Sequence, residues 1–102
     1  MEVYKTRTFD KWFGRIKDKK TRAIIGVRIQ RIAIDGNFGD YEVISKYVTE
    51  LRIDYGPGYR VYLTKKGTRI VILLIGGNKS SQSRDIRKAE KMARSELVEV
   101  DA

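Results

Sequence analysis

The stretch Val48-Thr49-Glu50-Leu51-Arg52-Ile53-Asp54-Tyr55-Gly56-Pro57-Gly58-Tyr59-Arg60-Val61-Tyr62-Leu63 decides the fold. Side chains in a strand alternate between faces. Thr49, Leu51 and Ile53 therefore point one way, and Val48, Glu50, Arg52 and Asp54 point the other. Tyr55-Gly56-Pro57-Gly58 has turn chemistry, with Pro57 fixing φ and Gly58 free to take a positive one. After it Tyr59, Val61 and Leu63 alternate with Arg60, Tyr62 and Thr64. Two amphipathic strands joined by a tight turn make an antiparallel pair with one apolar face, and that face needs a cover.

Working outward, Lys65-Lys66-Gly67 predicts a second hairpin turn, and Arg69 to Ile75 is apolar without alternation. A central strand covered on both faces has that pattern. Gly76-Gly77-Asn78 is expected to end it, and Ser80, Ser81 and Ser83 offer caps for a last helix. In that helix Ile86, Ala89, Ala93 and Leu97 share one face, while Arg84, Arg87, Lys88, Lys91 and Arg94 fall largely on another.

Upstream, Asp35-Gly36-Asn37-Phe38-Gly39-Asp40 reads as a loop, followed by a strand over Tyr41 to Tyr47. Before the loop, Ile25, Ile29, Ile32 and Ala33 line one side of a helix over Arg22 to Ile34. Asp18-Lys19-Lys20-Thr21 is a polar break. Phe9, Trp12, Phe13 and Ile16 at i, i+3, i+4 and i+7 predict an earlier helix capped by Thr8. Val3 to Thr6 reads as a short strand. The predicted order is β-α-α-β-β-β-β-α. It describes one α+β domain over residues 1–102, with a helical hairpin on a mostly antiparallel meander.

Composition narrows the chemistry. The chain has 102 residues, no Cys and no His. Disulfide scaffolds, thiol catalysis, Ser-His dyads and His- or Cys-ligated metals are excluded. The six acids between Asp18 and Asp54 show no metal-site spacing, and Asp35-Gly36-Asn37 lacks the rest of an EF-hand loop. No metal and no cofactor are expected. The longest pure apolar run, Ile70 to Ile75, has six residues, too few to cross a bilayer. Met1 to Lys5 lacks the layout of a secretory signal. A soluble cytoplasmic protein that does not engage membranes is expected.

The net charge of +9 is unevenly spread. Residues 1–34 carry +7, residues 35–54 carry −3, residues 55–94 carry +8 and residues 95–102 carry −3. Two basic blocks around an acidic stretch point to an anionic partner. Arg52 and Arg60 share one face of the strand pair, where alternation alone makes them solvated surface residues. Gly76 to Gln82 lies between the most apolar strand and a helix. It suits either a phosphate, held by the helix's free N–H groups and Lys79, or simple capping of that helix. The spacing of a Walker loop is absent.

These motifs resemble the RelE/ParE superfamily of bacterial toxin–antitoxin toxins, and most of all its phage-type and HigB-like "addiction module killer" group. The resemblance covers nearly all of the chain. It rests on Phe9 to Ile16, on Glu50 to Tyr62, and on Leu73-Leu74-Ile75-Gly76-Gly77-Asn78-Lys79-Ser80-Ser81-Gln82. It implies two N-terminal helices on a curved, mostly antiparallel sheet of four to five strands, with a C-terminal helix. It also implies a cognate antitoxin, commonly a helix-turn-helix DNA-binding protein. The implied activity is metal-independent endonucleolytic cleavage of mRNA on the 70S ribosome.

By position, Arg60 matches the arginine after Gly-Tyr in such toxins, Arg52 falls where they have a catalytic lysine, and Lys79 lies near the basic residue after the last strand. Glu50 departs from a position that can be basic. RelE carries a tyrosine in its C-terminal helix, and residues 83–97 here contain none. Arg52, Arg60 and Lys79 are thus the candidate catalytic residues, with Lys79 as base. Asn78, Ser80, Ser81, Gln82, Tyr59, Arg84 and Arg87 are the candidate substrate contacts. ParE-like relatives inhibit DNA gyrase instead, and a non-enzymatic basic RNA-binding protein is a further alternative.

Overall fold

The computed structural model describes residues 1–101, with side chains through Ser95. The elements are β1 (Glu2–Lys5), α1 (Arg7–Arg15), α2 (Lys19–Asp35), β2 (Tyr41–Val43), β3 (Thr49–Ile53), β4 (Tyr59–Lys66), β5 (Ile70–Asn78) and α3 (Gln82–Asp101). A single 3-10 turn, Lys79–Ser81, joins β5 to α3. The order matches the sequence reading, and the architecture is α+β. The sheet has five strands in the order β1-β5-β4-β3-β2. β1 runs parallel to β5, and all other pairs are antiparallel.

The alternation in β3 and β4 sorts the core into two layers. Leu51, Ile53, Val61 and Leu63 pack with Phe9, Ile25 and Ile32 of the helical hairpin. Tyr62 packs with Ile72, Leu74, Ala89 and Ala93 beneath α3. β5 serves both layers, since Val71 and Leu73 belong to the first and Ile72 and Leu74 to the second. That double burial explains its unbroken apolar run. A bulge between Tyr62 and Leu63 skips Leu74, so that Tyr62 faces Ile75 and Leu63 faces Leu73. Leu97, expected on the buried face of α3, lies outside the described side chains.

Several boundaries differ from the sequence reading. α1 is capped by Thr6, not Thr8: the Phe9 N–H donates to Thr6 Oγ1 at 3.0 Å. Thr6 wins because its hydroxyl also donates to the Leu74 carbonyl at 2.7 Å, fixing the helix start to the bulge. α2 begins at Lys19, since Asp18 accepts the Thr21 N–H at 3.0 Å and caps it. The polar break is thus a helix start. These cap bonds hold the Asp18 carboxyl below its ordinary range, led by the Thr21 hydroxyl. The predicted strand over Tyr41 to Tyr47 shrinks to Tyr41–Val43. Ser45 Oγ takes the N–H groups of Tyr47 and Val48, each at 3.2 Å, and turns the chain. Asn78, not a serine, caps the 3-10 turn. Its Oδ1 accepts the Ser80 N–H at 2.9 Å, and its own N–H donates to Ser81 Oγ at 3.3 Å.

Gly76 and Gly77 do not end β5, which continues to Asn78. They are small because both faces are crowded. A Cβ on Gly76 would sit 2.2 Å from the Trp12 ring, and one on Gly77 would sit 2.0 Å from Asp85 Oδ2. Gly76→Ala is expected to cost about 1–3 kcal/mol by overpacking, read as a lower urea midpoint with an altered Trp12 near-UV signal. An unchanged midpoint would mean that Trp12 does not seat on this glycine.

Candidate functional site

On the α3 side of the sheet, Arg52 in β3 stands directly across from Arg60 in β4. Like charges in that position repel. The conflict is settled by Glu50, two residues before Arg52 and therefore on the same face. Glu50 is completely buried. Its Oε1 accepts from Arg52 Nε at 3.2 Å and lies 3.8 Å from Arg60 Nε. Its Oε2 accepts from Gln82 Nε2 at 2.8 Å. One carboxylate thus gathers two guanidinium groups and the first residue of α3. The Arg52 guanidinium also pairs with Glu42 in β2. The Glu50 hydrogen bond leads in raising the Arg52 pKa further, so that Arg52 stays charged.

The two arginines differ in access. The Arg60 side chain is 10% exposed and the Arg52 side chain 37%. The expectation that both are solvated surface residues is corrected for Arg60, because α3 closes over that part of the sheet. Among the described residues, Arg60 Nε has no hydrogen-bond partner, and neither does the hydroxyl of Tyr62, opposite Glu50. Buried donors without partners are uncommon and often mark functional sites.

Burial first, and then the Glu50 charge, push the Tyr62 phenol well above its ordinary 10.0. The unfolded chain therefore loses this proton first as pH rises. Stability from this group is complete below pH 10.0 and declines above it. Tyr62→Phe should leave stability at neutral pH unchanged, or raise it by up to about 1 kcal/mol. It should also flatten the alkaline loss in urea titrations run on either side of pH 10.0. A steeper alkaline loss in the variant would contradict this account.

The second half of the site is the start of α3. Lys79, Ser80, Ser81, Gln82, Ser83, Arg84 and Arg87 border a polar hollow there. Gln82 links it to the arginine cluster through Glu50. Lys79 is exposed, and its chain runs over Gly58, whose Cβ position would be 2.8 Å from Lys79 Cε. Only glycine fits there, with φ at +79°. The Lys79 N–H also donates to the Gly58 carbonyl at 3.1 Å.

Other predicted contacts are placed differently. Asn78 and Ser81 are engaged as caps, and Ser81 Oγ donates to Asp85 at 2.6 Å. They shape the loop rather than face the arginines. Tyr59 lies on the opposite face of the sheet, edge-on to Trp12 with ring centroids 6.4 Å apart. Its alternation with Arg60 dictates this, and it stands apart from the cluster. Among the described residues no three carboxylates gather into a group able to hold a metal ion. No helix among the described residues is long and apolar enough to cross a membrane.

Glu50 and Tyr62 are the members of the cluster absent from the sequence-based set. Alternation does put Glu50 on the face of Arg52. What buries it is Gln82, 32 residues away, and spacing within the strand carries no trace of that contact.

No family model matches the chain, and no solved structure matches it. It is similar to an uncharacterized protein from Haemophilus influenzae, at 44% identity over 93 residues, covering 91% of this chain and 93% of the relative. An identity this high over nearly the full length of both proteins means that the chain belongs to the same family as that Haemophilus influenzae protein.

Proposed function

We propose that this chain is the toxin of a type II toxin–antitoxin pair, a RelE-like endonuclease that cuts mRNA on the ribosome in the cytoplasm. The observation that carries this reading is the pairing of Arg52 and Arg60 across β3 and β4 on one buried carboxylate, beside the cationic start of α3. Two guanidinium groups held side by side on rigid strands suit a phosphate, which they grip with planar forks of N–H donors.

RNA supplies its own nucleophile. The 2′-oxygen attacks the adjacent phosphorus and loses its proton. The phosphorane collapses to a 2′,3′-cyclic phosphate, and the leaving 5′-oxygen takes up a proton from water. The guanidinium groups of Arg60 and Arg52 stabilise the charge that builds on the phosphorane oxygens. Glu50 positions both. Lys79 takes the 2′-proton as general base and Gln82 orients the strand. Arg84 and Arg87 hold flanking phosphates. Arg52 is shared with Glu42, so the phosphate has to displace that carboxylate. This favours a substrate already aligned by the ribosome. The partner that silences such a toxin is a helix-turn-helix antitoxin whose acidic segment covers the same cations.

The test is induced expression in bacteria without a partner, with primer extension on a reporter mRNA. Growth arrest with cuts in register with the reading frame is the expected result. Arrest with intact mRNA and a DNA-damage response would point instead to gyrase. A folded product that causes no arrest would overturn the toxin reading.

A further inference from the structure

A second cationic groove lies outside the arginine cluster, between α1 and α3. β1 pairs with β5 only as far as Lys5 opposite Leu73. Beyond the Thr6 contacts to Leu73 and Leu74, β5 continues to Asn78 with β4 as its strand neighbour on one side alone. The open edge is the floor of a hollow of about 420 Å³, walled by α1 and α3. That volume is within the range of small-ligand sites. Lys11 and Arg15 stand on the α1 wall, and Arg84 and Lys88 on the α3 wall. Trp12 and Gly76 border the floor.

The charge arrangement is unusual. Four cations from two helices far apart in sequence converge on one hollow. Among the described residues, the ion pairs include none to Lys11, Arg15 or Lys88. Asp85, which also borders the hollow, is buried, accepts from Ser81 and lies 3.8 Å from Arg84 Nε, the one cation of the four that it pairs. Arg84 lies between this groove and the hollow at the start of α3, and borders both. The cations therefore form one track, from Arg87 and Lys79 through Arg84 to Lys88, Lys11 and Arg15. A track of cations with so little counter-charge suits a polyanion of several phosphates more than a single ion. The hollow beside the indole of Trp12 has room for one base, and aromatic surface next to a phosphate track is how single strands are held.

We propose that this groove is a subsite for single-stranded RNA, holding the nucleotides that flank the segment bound at Arg52 and Arg60. The proposal rests on the RNA-directed reading above and extends the strand's path around the start of α3. Trp12 is the one tryptophan of the chain, so its emission reports directly on the groove.

The test uses the full chain and an end-labelled single-stranded RNA of about ten nucleotides, without ribosomes. Anisotropy reads binding, and Trp12 emission reads the groove. Both signals are expected to saturate together. Lys11→Gln combined with Arg15→Gln should weaken binding about tenfold and make the log–log salt slope shallower by about 1.4. It should also suppress the Trp12 response. Lys66→Gln combined with Arg69→Gln, at the far end of the β4–β5 hairpin, removes the same charge and should leave the Trp12 response in place. RNA binding with silent Trp12 and an unchanged slope in the Lys11/Arg15 variant would overturn the groove and leave the RNA reading standing. Absence of RNA binding by the wild type would overturn the groove and leave the ribosome-dependent reading to the primer-extension test. A Trp12 response to an oligoglutamate peptide but not to RNA would overturn the proposal and make the open edge of β5 a peptide site.

Discussion

Arg60→Lys is expected to lower mRNA cleavage by at least about 100-fold while the protein stays folded. Lysine keeps the positive charge beside Glu50 but loses the planar fork of N–H donors that we assign to the phosphorane. Glu50 keeps its shorter contacts to Arg52 and Gln82 in the variant. The fold therefore loses a 3.8 Å ion pair and the Arg60 Nη1 hydrogen bond to the Tyr59 carbonyl at 3.0 Å. Primer extension on the reporter, alongside circular dichroism and thermal melts, reads both quantities. Full cleavage by a folded Arg60→Lys protein would remove Arg60 from the mechanism. Loss of folding would instead make the Arg60–Glu50 contact structural. Arg52→Lys should fall less, because Arg52 is more exposed and is already shared with Glu42.

Glu50→Leu carries the largest expected effect on stability. It leaves Arg60 buried without its counter-charge and Arg52 held by Glu42 alone on the sheet. It also strands the Gln82 amide. Breaking a buried pair by removing one partner typically costs about 3–5 kcal/mol. For a domain of this size that is a melting temperature lower by at least about 12 °C. The double replacement Glu50→Leu with Arg60→Met removes both buried charges and should recover most of that loss, because an apolar pair of similar volume avoids the desolvation cost. It should recover no cleavage. Thermal melts of the two variants decide the matter. A Glu50→Leu protein as stable as the wild type would mean that α3 does not depend on this carboxylate for its seat. Failure of the double variant to recover would place the loss in packing under α3 rather than in charge.

The elements of this fold were legible in the sequence wherever burial imposes a period. Phe9, Trp12 and Phe13 gave α1 its buried side, and Leu51, Ile53, Val61 and Leu63 gave β3 and β4 their shared face. The unbroken run from Ile70 announced a strand packed on both sides, as found. Boundaries were less legible, since a cap depends on which hydroxyl has a second partner. Thr6 outcompetes Thr8 through a carbonyl 68 residues later, which no local pattern contains. Gly76 and Gly77 read as a strand end because glycine is the common terminator. Their cause is instead the ring of Trp12 on one face and the carboxylate of Asp85 on the other.

The candidate site divides the same way. Strand alternation places Glu50, Arg52 and Arg60 on one face, and the turn at Gly56 to Gly58 fixes Arg52 against Arg60, because a hairpin's register follows from its loop. The amino-acid sequence by itself thus determined the order of elements, the two faces of the sheet and the excess of cations. Only the tertiary structure decided that α3 buries Glu50, that Arg60 lies beneath the surface while Arg52 reaches it, and that Trp12 meets Gly76 beside a cationic groove. Periodicity is set by the geometry of a single element. Burial and ion pairing depend on which distant element lands on it, and that outcome emerges only when the whole chain packs.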